Sequence, residues 1–303
     1  MKRLSVIFCT YNREKYLYNA LKSIAEQNVS ADLYEILLID NNSTDRTTEI
    51  CNQFQIDFPS IDFKYFLETN QGLSYARNRG VEEGNGEILV FVDDDATAFD
   101  GYLKSIDLFF SKYREAMACG GPIVPVYEVE KPKWLSLYTE QLLGGALHEG
   151  DETKPFRNGK FPGGGNSAFR KEVFEKYGLF NVELGRKGTG LIGAEEKDLY
   201  DRLTKGGEIF YYLPEMGIHH YIPEKKLSSA HFKELTYSIG KSERIRTKAI
   251  SQSAYRGRLL SEFKKWCGTC VLFAYYTLCF APQKGVKLFE FRWHVTRGLL
   301  SKE

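Results

Sequence analysis

Four short apolar runs set the expected architecture: LSVIFC (4–9), YEILLID (34–40), FKYFL (63–67) and EILVFVD (87–93). A stretch with helical spacing of apolar residues follows each. Leu17, Ala20, Leu21 and Ile24 mark a helix over 16–27; Asp45 is placed to cap a second reaching Phe54; residues 73–83 and 99–110 supply two more. Near-continuous apolar strands alternating with helices predict a mostly parallel sheet covered on both faces. In such sheets ligands bind beyond the carboxyl ends of the strands. That rule selects Thr10, Tyr11, Asn12 and Arg13 after the first strand, Asp40, Asn41 and Asn42 after the second, and Asp93, Asp94 and Asp95 after the fourth, all on one rim.

Past residue 115 the pattern loosens through ACGGPIVPV and FPGGGNSAFRKEVF (161–174). A helix resumes near Glu195, residues 208–221 read as a strand pair, and from about 227 the chain reads as basic helices, with no internal repeat. At 303 residues, one large or two smaller globular domains are expected. The net charge of +1 conceals a split, because residues 221–303 carry 16 Lys or Arg against 6 Asp or Glu. The C-terminal part is therefore either a basic surface for an anionic partner or a solvated helical face. The six cysteines fit reduced thiols and a cytosolic setting; Cys267 and Cys270 form a CxxC without a second ligand pair, and are expected as core thiols on one helix face. The N-terminal apolar run is too short for a signal peptide and is expected as a strand.

Three carboxylates at the tip of an apolar strand repel one another unless a cation lies among them. A helix cap needs only one, and ATAFDGYL after the triplet does not supply the oxygens of a calcium loop. A magnesium or manganese ion shared with a diphosphate suits the triplet better. NQGLSYARNRG (70–80) adds Arg77 and Arg79, side chains whose planar forks suit phosphate, beside glycines that permit close approach. A second acidic site is GAEEKDLYDRL (193–203), where Glu196, Leu199 and Leu203 at i, i+3 and i+7 place Glu196 on the buried stripe and turn Glu195 elsewhere.

SVIFCTYNR, LLIDNNSTD, NQGLSYARNRG, VFVDDDA, GGGNSAFRKEVFEKYGLF and GAEEKDLYDRL occur in the order seen in family 2 of the glycosyltransferases, which the chain resembles over roughly residues 1–225. The resemblance implies an α/β chain with the A-type glycosyltransferase fold. This is a Rossmann-like, mixed, mostly parallel sheet covered by helices, here with a C-terminal helical extension. Residues 1–120 would form the nucleotide-sugar-binding half, 121–225 the acceptor-binding and catalytic-base half of the same domain, and 226–303 the basic extension. The implied reaction is metal-dependent, inverting transfer of a hexosyl-type sugar from a nucleotide diphosphate donor, UDP preferred, to a hydroxyl of a glycan or lipid-linked acceptor in cell-surface polysaccharide synthesis. Thr10, Tyr11, Arg13, Asp40 and Arg77 would hold the nucleotide, with Asn42 beside them. Asp93 and Asp95 fill the DxD places, Asp95 as direct ligand to Mn2+ or Mg2+ and Asp94 toward the ribose or donor sugar.

Members usually have Glu-Asp where this chain has Glu195-Glu196, so the base falls on Glu196, with Glu195 left open. His220, shortly after the base helix, matches a place that can complete the metal site. Gly163, Gly164, Gly165 and Asn166 form either a loop admitting acceptor or donor sugar or a plain turn. Trp134 stacks on a sugar ring or is simply buried. The uncharged segment 266–283, flanked by lysines, reads as an in-plane helix on an anionic membrane or as a packing helix. A cytoplasmic protein, peripheral on the inner face of the membrane and with no nucleic-acid partner, is expected. Two other classes share parts of this pattern: a non-catalytic nucleotide-sugar-binding subunit and a sugar nucleotidyltransferase, although the latter's Gly-rich triphosphate loop with a following Lys is not seen.

Overall fold

The computed structural model describes residues 2–301. The alternation opens with β1 (Leu4–Thr10), α1 (Glu14–Ala25), β2 (Tyr34–Asp40), α2 (Thr47–Asp57), β3 (Phe63–Leu67), α3 (Leu73–Glu83), β4 (Ile88–Asp93), β5 (Ala96–Ala98) and α4 (Tyr102–Lys112). It continues through β6 (Ala118–Gly120), β7 (Ile123–Tyr127), α5 (Leu137–Gly144), β8 (Lys154–Pro155), β9 (Asn166–Arg170), α6 (Glu172–Tyr177) and α7 (Glu195–Lys205). β10 (Phe210–Tyr212), β11 (Ile218–Ile222), α8 (Ser229–Ile250), α9 (Gln252–Leu278) and α10 (Pro282–Leu299) complete it.

Eight strands form a sheet in the order β3-β2-β1-β4-β9-β6-β10-β8. β1 to β4 are parallel, while β9 runs antiparallel to both β4 and β6. The strand order reverses at β1, whose Thr10 pairs with Asp40 on one side and whose Cys9 pairs with Asp93 on the other. Both acidic strand ends therefore open on the crevice where such sheets bind ligands.

The apolar runs are continuous because both faces of the sheet are covered. Val6 and Phe8 of β1 pack with Leu17, Leu21 and Ile24 of α1 on one face, whereas Ile7 packs with Ala76 and Val81 of α3 on the other. Burial of each large apolar side chain contributes roughly 1.5–3 kcal/mol relative to exposure. α3 lies tightly on β1: a Cβ at Gly80 would stand 2.5 Å from Ile7 Cγ2, so the helix carrying Arg77 is held at a depth only glycine allows.

The strand pair expected over 208–221 is instead two strands in different sheets. β10 lies parallel to β6, and β11 lies antiparallel to β5 in a three-stranded sheet ordered β5-β11-β7. Leu213 N still bonds to Gly120 O at 3.0 Å, after which the fully buried Met216 redirects the chain.

The chain divides into two compact units. The first runs to Pro125 and adds Leu147–Val182 and Glu196–Tyr221; the second comprises Val126–Ala146, Glu183–Glu195 and the described residues from Ile222 onward. In the second, α8 and α10 meet through Gly240 and Gly298, where a Cβ would overlap Val295 O and Tyr237 O respectively. Part of the C-terminal basic excess is neutralised internally. Glu243 pairs with Arg246 and Arg258 at 3.1 and 3.0 Å, and Glu262 with Arg258 and Arg292 at 2.8 and 3.1 Å. Cys267 and Cys270 are exposed rather than the core thiols expected, because α9 is apolar on more than one face and only one face is packed. Among the described residues no helix is long and apolar enough to cross a membrane.

Candidate active site

The loops after β1 and β2 lock together at the rim. Asn12, at φ 54°, accepts Thr44 N through its Oδ1 at 2.8 Å while its own N–H donates to Ser43 Oγ at 3.0 Å. Asp45 accepts from the N–H groups of both Glu14 and Thr47, tying the starts of α1 and α2. Asp40 is buried, and its two oxygens accept Ser43 N at 2.8 Å and the Tyr65 hydroxyl at 2.7 Å. Burial, with Asp40 as acceptor, pushes the Tyr65 phenol up to about 12, so it stays a donor. Asn41 accepts Gly72 N at 2.7 Å and donates to Glu68 O and Asn70 O, fixing the turn into α3. Asn42 is exposed at φ 66° and turns the chain between these groups. Asn41, expected on the rim, and Asp45, expected as a helix cap, thus organise it together with Ser43 and Tyr65, which the sequence pattern did not single out.

Around the acidic triplet stand the Arg13 guanidinium, which supplies a counter-charge, and the His220 imidazole. Arg13 reaches Asp94 at 3.8 Å and Asp95 at 3.7 Å from the residue preceding α1, beside the half-buried Tyr11 and the buried Thr10. Burial works against the Arg13 charge, but Asp94, Asp95 and Asp93 together raise its pKa above the ordinary value. Burial raises the Asp94 carboxyl well above its usual range, with Arg13 opposing and Asp95 adding to the rise. β11 delivers His220 next to β5: Tyr221 N donates to Asp95 O at 2.9 Å, and His220 Nε2 lies 3.0 Å from Asp95 Oδ1. Its neighbour His219 points out and packs on Phe99.

Asp93, Asp95 and His220 each present a ligand atom, all within 4.8 Å of one another. Two carboxylates and an imidazole so close together could hold a divalent cation. Gly165 makes the cradle: its carbonyl accepts Asp93 N at 3.0 Å, and a Cβ there would overlap the Asp93 carboxylate. The residues fit a divalent ion in donor type, proximity and the room kept for the ligand.

Gly164 joins the remaining charged groups. Arg77, buried on α3 and lying over the Phe180 ring, donates to Gly164 O at 3.1 Å. A Gly164 Cβ would stand 3.0 Å from Arg77 Nη2 and 3.3 Å from Glu196 Cγ, so Glu196 faces the same loop. The expected burial of the two glutamates is reversed: Glu195 is 3% exposed and Glu196 is only half-buried. Glu195 lies at i, i+4 and i+8 with Leu199 and Leu203, a stripe as apolar as the one assigned to Glu196, and its preceding Ala194 enters the helix at φ 74°. Arg79, by contrast, pairs with Glu83 at 2.8 Å on the helix surface.

Two residues assigned to the acceptor have structural partners. Asn166 is wholly buried, accepting the Tyr102 hydroxyl at 2.8 Å and donating to Pro122 O and Met216 O at 3.2 and 2.8 Å. Its side chain joins the strands rather than facing a ligand. Trp134 belongs to the second unit, where it meets Phe232 edge-on and lies under Lys287 Nζ at 4.9 Å.

Residues 5–178 match the family described as Glycosyl transferase family 2. The chain belongs to that family and is a glycosyltransferase. It is 29% identical over 232 residues to the glucosyl-dolichyl phosphate glucuronosyltransferase of Haloferax volcanii, covering 73% of this chain and 70% of that protein. It is 34% identical over 206 residues to the GalNAc(5)-diNAcBac-PP-undecaprenol beta-1,3-glucosyltransferase of Campylobacter jejuni, covering 66% and 62%. Among solved structures, the mannosyltransferase PcManGT of Pyrobaculum calidifontis, in complex with GDP-Man and Mn2+, matches with a TM-score of 0.64 at 17% identity, covering 99% of this chain and 88% of that one. This similarity establishes the A-type glycosyltransferase fold.

Proposed function

We propose that the protein is a metal-dependent, inverting glycosyltransferase that moves a sugar from a nucleotide diphosphate donor, UDP preferred, to a hydroxyl of a lipid-linked or glycan acceptor. The observation that carries this reading is the convergence of Asp93, Asp95 and His220, with Arg13 at their side, on the rim where Asp40 and Arg77 also emerge. A divalent ion held by Asp93, Asp95 and His220 would supply positive charge to the diphosphate oxygens. Asp40, which accepts from Tyr65 and Ser43, would accept a base N–H, and Tyr11 would stack on the base. Arg13 and Arg77 contribute further fixed positive charge on the donor side, where charge grows as the nucleotide departs.

Glu196 takes the proton of the acceptor hydroxyl as that oxygen bonds to the anomeric carbon and the bond to the diphosphate breaks. It suits the role because it faces the Gly164 loop and is half-open to an incoming hydroxyl, whereas Glu195 is sealed. Two relatives named for dolichyl phosphate and diphosphate-undecaprenol substrates support a lipid-linked acceptor in cell-surface glycan synthesis. With such an acceptor the enzyme would work peripherally, at the cytoplasmic face of the membrane.

Screening nucleotide sugars by thermal denaturation tests the donor side, since a ligand that binds only the native state raises its melting temperature. A UDP-sugar is expected to stabilise the protein with manganese and not with chelator. Stabilisation by no nucleotide sugar, or equally with chelator, contradicts the reading.

A further inference from the structure

Helix α9 carries two apolar faces, of which one is packed. Trp266 and Phe273 lie 5.6 and 5.1 Å from the Phe289 ring of α10, and Trp266 Nε1 donates to Thr296 Oγ1 at 3.0 Å. The other face is formed by Leu260, Phe263, Cys267, Val271, Tyr275 and Leu278, spaced by three or four residues and all exposed. At 1.5 Å per residue the stripe is about 27 Å long. It ends at the turn into α10, where Phe280 adopts φ 55° and is 93% exposed. A continuous apolar stripe of this length on a protein surface marks an interaction site.

Charge identifies the occupant. From Phe263 to Phe289 the sequence has four lysines and no Asp or Glu. Lys287 turns inward to Glu290, but Lys264 is exposed beside the stripe and Lys284 stands at its tip. A second copy of the same face would offer these lysines no carboxylate, whereas anionic lipid headgroups would. The buried Glu262 and Thr269 on the packed side, and the lack of a helix apolar enough to span, keep α9 out of the hydrocarbon core.

We propose that the outer face of α9 and the turn at 279–281 lie in the interface of an anionic lipid bilayer, with Leu278 and Phe280 as apolar anchors and Lys264 and Lys284 on the headgroups. The inference rests on the second unit alone and holds whatever sugar the enzyme transfers.

The test is co-sedimentation of the full chain with phosphatidylcholine vesicles and with vesicles containing phosphatidylglycerol. Binding is expected to the anionic vesicles, weakening with salt. Phe280→Glu and Leu278→Glu should each lower the partition coefficient at least about tenfold, and Lys264→Gln roughly fivefold, the effect of one lysine near an anionic surface. These side chains are exposed, so the melting temperature should not move. Equal sedimentation with and without anionic vesicles overturns the proposal, as does a dimer in solution that Leu278→Glu dissociates while vesicles capture neither form.

Discussion

Glu196→Gln is expected to lower sugar transfer by about 10²–10⁴-fold, the share that a positioned general base contributes, while leaving donor affinity nearly unchanged. The amide keeps the shape of the side chain and its place beside Gly164 and Arg77 but cannot hold the acceptor's proton. Single-turnover transfer and donor-binding calorimetry separate the two effects. The matched Glu195→Gln variant replaces a carboxylate that is 3% exposed at the start of α7, so its loss should appear in the melting temperature more than in the proton-transfer step. Full turnover by Glu196→Gln, with collapse in a well-folded Glu195→Gln protein, moves the base to Glu195.

Gly165→Ala should weaken metal-dependent nucleotide binding by about 10–100-fold although it removes no ligand atom, a loss of the size seen when a metal ligand's support is disturbed. The added methyl group occupies the space of the Asp93 carboxylate, and Gly165 cannot retreat freely because its carbonyl holds Asp93 N at 3.0 Å. The carboxylate must then turn away from Asp95 and His220. Titration of manganese by electron paramagnetic resonance, with nucleotide present, reads this directly. An unaltered manganese affinity in the alanine variant would remove Asp93 from the ligand set.

The rim on which Thr10, Asp40 and Asp93 meet was legible in the sequence because it follows from strand ends. Apolar runs ending at Thr10, Asp40 and Asp93 are strands buried on both faces, and the parallel order forces their polar termini onto one rim. What was not legible depends on contacts distant in sequence or on choices the helical period leaves degenerate. Leu199 and Leu203 share a stripe with Glu195 as readily as with Glu196, because neighbouring residues are only about 100° apart around a helix. Asn166 follows three glycines and reads as part of a flexible loop, yet its amide is consumed by Tyr102, Pro122 and Met216, which come from three separate segments. His220 could be placed only by family resemblance, because its approach to Asp95 depends on β11 crossing to β5 in a second sheet rather than pairing with β10. The cysteines of α9 were assigned to a core for a related reason: apolar composition does not say which of two apolar faces finds a partner.

The most direct test of the site is calorimetric titration of UDP into the native protein and into Asp95→Ala, each with manganese and with chelator. Tight binding is expected only for the native protein with manganese. Equal heats in all four titrations, or manganese-dependent binding that survives in Asp95→Ala, would contradict a metal site built on the end of β4.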